Sequence, residues 1–495
     1  MNKTIKIGIL SLIVGLGAVS CSDDFVEREF HQQVEQGPLK TVNEMQAFVM
    51  GGYASMRSPY YYGADFLAYG EVRSDEMISN LAGGYYTNVF NYTMLSNDPY
   101  ATNTYNKIYE LVAKANIVIN TDVKTLSGSD LDREDALFYQ GQAYGLRAIA
   151  FFDALRLYGQ KYIPDGTGLG VVLPLKYDPK ALQPRATIAQ TEAQIEADFA
   201  KAIELMDGGQ TGVTELSTNA LKAMMSRFYL YKGDYAKVRS LSNDLLGKYT
   251  VVASNTLQTS FRFVMNGAAP NSIFELAVGL NASLSTSSYR HRLNPYGYGN
   301  IVVNASTANL YADNDARKTL ITANGGQRYL SFGNTAAGSF GKYTQPQGAD
   351  NIKMIRYEEI LLNAVEAELK GGDATKALEY YKNLIANRLL PIAKKDADGN
   401  PVLDAAGNPV MVSGEEQANA ITSVDISMLK KERMKELLGE GLRQWDLRRW
   451  GDAVPRPEGA AIGKDPNHAA FPIPRTETDI ANTPVLPNPG YDNSK

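Results

Sequence analysis

Two stretches far apart in the chain follow one plan, and that plan narrows the folds open to it. Residues 219–246, NALKAMMSRFYLYKGDYAKVRSLSNDLL, carry apolar residues at helical spacing, broken only at Gly233 and Asp234. Residues 357–388, YEEILLNAVEAELKGGDATKALEYYKNLIANR, repeat the design with Gly371, Gly372 and Asp373 at the break. Glycine ends a helix and aspartate starts one, so each stretch predicts a helix, a tight turn and a second helix. Neither pair can bury its apolar face alone, and stacked pairs must share one core.

The rest of the chain supplies neighbours for these pairs. Val42, Met45, Phe48, Val49, Gly52, Tyr53 and Met56 predict a first scaffold helix. Helices are also expected from about 101 to 120 and about 132 to 158, packed as a hairpin, with Ala143, Gly145, Ala148 and Ala150 admitting a close neighbour. Thr187 to Gln190 reads as a capping box opening a helix with Ile195, Phe199, Ala202, Ile203 and Met206 along one stripe. The repeated pairs resemble tetratricopeptide units, whose period is about 34 residues. Residues 250–350 differ, being rich in Gly, Ser, Thr, Asn and Tyr, and predict loops with a few short strands such as one over Ile273 to Val278. At 396–410, DADGNPVLDAAGNPV predicts two short arms joined by tight turns. Its Asp396, Asp398, Asn400 and Asp404 lack the closing Glu of a calcium loop. The expected fold is mostly α, a tetratricopeptide-like helix-pair scaffold over 41–250 and 351–495 with a loop-rich insert at about 250–350.

Residues 1–20 read as a signal peptide, with Lys3 and Lys6 ahead of an apolar run from Ile7 to Val19 that is too short to span a bilayer. Cys21, the single cysteine, stands where a lipoprotein signal peptidase would leave it to be acylated, although Ala18 occupies the lipobox position that usually holds Leu. Residues 21–40 are polar and aperiodic, as in a flexible stalk. Ser22, Asp23 and Asp24 resemble the surface-export signal of Bacteroidota lipoproteins. The whole chain, 44% hydrophobic and 21% charged with a net charge of -5, has the balance of an ordinary globule, and nucleic acid is not an expected partner.

No catalytic constellation is expected, and no cofactor or metal. His31, His291 and His468 have no metal-ligand spacing, and neither a nucleophile elbow nor a phosphate-binding loop is present. Asp75 and Glu76 could suggest a glycosidase pair, but adjacent side chains diverge, so Asp75 reads as a polar or binding contact. Thirty tyrosines against two tryptophans is the informative surplus, since a tyrosine face suits stacking on sugar rings or peptide groups. Clusters at Tyr60, Tyr61 and Tyr62, at Tyr85, Tyr86 and Tyr92, and at Tyr289, Tyr296 and Tyr298 fall in expected loops. Ligand-binding candidates are thus Tyr60, Tyr61, Tyr62, Asp75, Tyr85, Tyr86, Tyr289, Arg290, Tyr296 and Tyr298, while Tyr105, Tyr109 and Tyr229 read as helix packing.

LKKERMKELLGEGLRQWDLRRWGD at 429–452 and FPIPRTETDIANTPVLPNPGY at 471–491 resemble signature segments of the SusD/RagB family. The likeness extends to RYEEILLNAVEAEL at 356–369, to RATIAQTEAQIEADFAKAIELM at 185–206, and to the lipoprotein start. Glu432, Arg433, Glu436, Glu440, Arg443, Asp446, Arg448 and Arg449 lie at helical spacings suited to an ion-pair network while their apolar neighbours pack inward. Trp445 and Trp450 are expected to close a core, and the final Pro-rich segment to lie extended on the helical body. The resemblance implies a lipid-anchored outer-membrane protein, exposed at the cell surface, that binds without cleaving bonds. It implies a ligand face built by loops in the first third and the middle of the chain, closing over a TonB-dependent barrel of the SusC type. The implied ligand is an oligosaccharide, or alternatively an oligopeptide.

Overall fold

The computed structural model describes residues 37–494 apart from 165, 208, 210–211, 262–268, 336–337 and 454–465. The expected signal peptide, Cys21 and most of the expected stalk lie outside the described residues. The chain divides into a unit Met1–Leu39 and a body Lys40–Lys495. The helices of the body with eight or more residues are α1 (Val42–Met56), α2 (Asp65–Val72), α3 (Pro99–Ile119), α4 (Asp130–Tyr158), α5 (Ile188–Leu205), α6 (Thr218–Lys232), α7 (Tyr235–Leu245), α8 (Tyr357–Leu369), α9 (Ala374–Ala386), α10 (Ile426–Leu437) and α11 (Arg443–Trp450).

Local chemistry explains where these helices begin and stop. Thr41 with Glu44, Ser129 with Asp132 and Thr187 with Gln190 close capping boxes at α1, α4 and α5. Pro99 sits at the first turn of α3, where its missing N–H costs nothing, and Asp98 accepts from the Tyr100 amide. In the turn between α6 and α7, Gly233 adopts φ 87° and Asp234 caps the next helix, accepting from the Lys237 amide.

α3 and α4 pack against each other as the expected hairpin. α1 lies on α3 and α4, α4 on α5, and the pairs α6–α7 and α8–α9 stack through α7 and α8. A methyl group on Gly145 of α4 would come within 2.7 Å of Leu221 and 2.9 Å of Leu216, so the expected close approach is real. Every residue of α8 from Tyr357 to Glu368 is buried, including its glutamates, and each of three is met by arginine. Arg227 donates to Glu359 at 2.7 and 2.6 Å, Arg388 to Glu358 at 2.8 Å, and Arg449 to Glu366 at 2.7 Å. Buried charge is tolerated when every oxygen finds a donor.

The C-terminal signature forms the expected ion-pair network and extends it beyond its own helices. Its charges turn inward with their apolar neighbours and pair with residues distant in sequence. Glu436 on α10 accepts from Arg356 at 2.6 Å, Arg388 at 2.8 Å and Arg317 at 2.9 Å, and Lys342 donates to Glu440 at 2.6 Å. Burial pushes the Glu436 carboxyl up, but Arg388 and Arg356 more than reverse this and hold it well below the usual range. Within the signature, Arg433 donates to Asp446 at 2.9 Å. Helical spacing alone could not reveal that Arg317 and Lys342 of the insert enter this network.

Among the described residues, strands form six two-stranded antiparallel ladders. Ser272–Leu276 pairs with Ile352–Arg356, and Ile392–Ala393 with Met411–Val412 ahead of the 396–410 arms. In those arms Asp396 accepts from the Asp398 and Asn400 amides, and Asp404 from those of Ala406 and Asn408, so both aspartates serve turns. The Pro-rich tail lies on the helical body: Phe471 N–H donates to Leu157 O at 2.7 Å and Asn488 to Tyr158 O at 2.9 Å.

A candidate ligand-binding face

One ladder brings two distant loops together. Met77–Ser79 pairs with Ile301–Val303, Ile78 opposite Val302, so the chain after Ser79 emerges beside the chain before Ile301. Leu81, Gly83 and Gly84 then take φ of 63°, 64° and 74°, a tight left-handed course that delivers Tyr85 to the surface. From the other side, the short helix Tyr289–Leu293 is capped by Ser288, and Tyr298 N–H donates back to His291 O at 2.8 Å. This return places Tyr298 over His291, edge to face at 4.5 Å.

The rings of Tyr85 and Tyr298 meet at 4.6 Å and 39°. Arg292 lies against both, its guanidinium carbon 4.3 Å from the Tyr85 ring centre and 4.7 Å from that of Tyr298. Hydrogen bonding with Tyr298 and the charge of Arg292 lower the Tyr85 phenol, partly opposed by burial. Tyr298 is 41% exposed, and Tyr296 is 60% exposed with its ring edge on Phe332 at 5.4 Å. Leu81 and Phe340 are exposed too. Flat apolar faces beside a guanidinium can stack on a ring while donating to hydroxyl or carboxylate oxygens.

The other candidates are elsewhere in the architecture. Tyr60 is 46% exposed, but among the described residues it makes no ring contact with this group. Tyr61 and Tyr62 are buried, and both hydroxyls donate to Asp153, Tyr62 at 2.8 Å. Tyr86 is buried, donating to Asp65 at 2.7 Å and stacked on Tyr100 at 4.9 Å. Tyr289 is buried against Tyr343, and Arg290 is buried with its donors on Gly333 O and Pro346 O. Tyr92 donates to Arg73 O at 3.0 Å. Asp75 is held by Arg443. The expectation that all these residues face a ligand is therefore corrected: Tyr61, Tyr62 and Tyr86 each found a buried carboxylate acceptor, Tyr289 packs with its hydroxyl unpaired among the described residues, and of the set only Tyr85 and Tyr298 meet, with Tyr296 exposed against Phe332.

Arg292 belongs to this face and was missed. The signal was present in YRHRL: positions 289, 290 and 293 share one side of a helix, and that side is buried, which leaves Arg292 to point elsewhere. Beneath the face, carboxyls are withdrawn from water. Burial pushes Asp65 up to about 7 against the Tyr86 hydrogen bond and Arg292, and it pushes Glu71 up to about 7 beside Glu76.

Comparison with known proteins agrees with this architecture. Residues 32–230 match a family described as starch-binding, associating with outer membrane, and residues 308–484 match the SusD family. SusD-like protein P2 of Formosa agariphila is 23% identical over 99% of this chain and 100% of its own. A SusD superfamily protein of Bacteroides thetaiotaomicron superposes with a TM-score of 0.72 at 24% identity, covering 91% of this chain and 100% of that one. Surface glycan-binding protein A of Bacteroides fluxus gives 0.66 at 20% identity, with 92% and 100% covered. With the paired helical scaffold, the buried C-terminal signature and these matches in place, the chain is a member of the SusD/RagB family.

Proposed function

We propose that this chain captures oligosaccharides on the Tyr85–Tyr298 face and delivers them to a SusC-like, TonB-dependent outer-membrane transporter, without cleaving them. The observation that carries the reading is the pair of half-buried Tyr85 and exposed Tyr298 with Arg292 beside it, where, among the described residues, expected tyrosines from two distant loops meet. Family membership supports the glycan class and an outer-membrane setting. Residues 1–20 would be removed and Cys21 acylated, leaving 21–40 as a tether for one body over 41–495. Several acyl chains hold a protein to a bilayer stably, and sharing one membrane raises the effective concentration of the two partners. The carboxylates around the face support binding over hydrolysis: Asp65 is buried and accepts from Tyr86, Asp75 is committed to Arg443, and Glu71 and Glu76 are buried.

Calorimetry on the full chain in detergent, titrated with oligosaccharide and peptide mixtures, tests this reading. Heat with oligosaccharides that is lost in Tyr298→Ala is the expected result, and heat with peptides alone overturns the glycan assignment. Release of shortened products would overturn the noncatalytic one. The same role for oligopeptides has one observation in its favour: Trp445 is buried and Trp450 half-buried in α11, so the face offers tyrosine and arginine and no tryptophan.

A further inference from the structure

A second concavity, made of different residues, lies between α3, the loop 172–183 and the tail 477–485, with a volume of about 430 Å³. Tyr105 and Tyr109 line its floor with rings 4.4 Å apart. The Tyr109 hydroxyl donates to Val172 O at 2.9 Å, so this residue offers the cavity its ring more than its oxygen. Tyr177, Leu182 and Ile480 form an exposed apolar rim.

Glu477 enters this cavity, and among the described residues its carboxylate has neither a hydrogen bond nor an ion pair. Burial alone pushes its carboxyl above the ordinary range. The buried cation nearby is already committed, since Arg185 donates to Gly170 O, Leu486 O, Asn488 and Tyr158 O. Lys176 and Asp178 at the mouth are exposed. A desolvated carboxylate without a counter-charge gains most from a cation that donates to it, and tyrosine faces favour that same charge.

We propose that this cavity binds a primary ammonium group carried on a compact skeleton, with Glu477 as its counter-charge and the tyrosine rings as its walls. An amino sugar and a lysine side chain share that chemistry. The site does not depend on the Tyr85–Tyr298 face.

Calorimetry on the full chain in detergent tests it with three probes: fully deacetylated chitotetraose, its N-acetylated counterpart, and an acetylated, amidated lysine peptide. At least one ammonium probe binds, and which one identifies the source. With every titration run on the Tyr298→Ala background, which silences the other face, N-acetylation weakens sugar binding at least tenfold and Glu477→Gln weakens the bound probe about tenfold at a Tm no lower than that of its Glu477 parent. Tyr177→Ala, on the exposed rim, weakens it several-fold and provides a second handle should Glu477→Gln fold poorly. Equal binding of the N-acetylated oligomer, indifference to both cavity substitutions, or no heat with either ammonium probe overturns the proposal.

Discussion

Arg443 grips Asp75 through two parallel bonds, Nε to Oδ1 at 2.7 Å and Nη2 to Oδ2 at 2.9 Å, joining α11 to the strand that leads into the candidate face. Glu76 lies 3.9 Å from the same guanidinium. Asp75 is therefore a clamp residue. Asp75→Asn is expected to cost about 2 kcal/mol, as for a lost hydrogen bond to a charged group. Urea unfolding reads the loss, and calorimetry at a temperature where the variant is folded should find ligand affinity unchanged.

Tyr298 and Tyr62 separate the surface tyrosines from the buried ones. Tyr298→Ala removes an exposed ring, so stability should move by no more than about 0.5 kcal/mol while affinity falls about tenfold. Tyr62→Phe removes a buried donor to Asp153 and should cost about 1 kcal/mol with affinity intact. Paired titration and urea curves on the two variants check the contrast.

Glu436 gathers three arginines in the buried interior. Glu436→Gln leaves Arg317, Arg356 and Arg388 short of one negative charge and is expected to destabilise by about 3–5 kcal/mol. A fall in denaturant midpoint with an unchanged slope is the expected readout.

The acidic groups give the stability curve two limbs of opposite sign. Burial raises Glu71 to about 7, so its folded state prefers the protonated form, and its contribution is fully present below the ordinary carboxylate value and lost as pH rises through about 7. Asp446 runs the other way: burial is outweighed by Arg433 and Arg449, which hold it at about 2, so its contribution is present above the ordinary value and lost as pH falls through about 2. Glu71→Gln, which can still accept from the Gly441 amide, should gain on the parent protein as pH rises from 5 to 8. Denaturant midpoints across that range test the sign.

Gly70 in α2 faces the backbone of Gly441, and a methyl group there would lie 2.1 Å from the Gly441 carbonyl oxygen. No side-chain adjustment relieves a clash with backbone, so Gly70→Ala should destabilise by about 1–3 kcal/mol or more. Thermal unfolding of the variant checks it.

The scaffold was legible because its information is local. Periodic apolar positions, the Thr187–Gln190 box and the Gly233-Asp234 turn act within a few residues of chain, and each helix they define is found. The 396–410 arms were legible for the same reason, since each aspartate closes its own turn.

What the chain could not disclose by itself was which partners its polar groups would find across hundreds of residues. Glu436 draws Arg317 from the insert, Asp75 is taken by Arg443, and Met77–Ser79 pairs with Ile301–Val303, which alone sets Tyr85 against Tyr298. A loop tyrosine reads the same in sequence whether its hydroxyl meets water or a buried carboxylate. Burial decided between these outcomes, because a waiting acceptor offsets the cost of burying a phenol, and Asp153 and Asp65 supply acceptors to Tyr62 and Tyr86 that only the folded chain brings near.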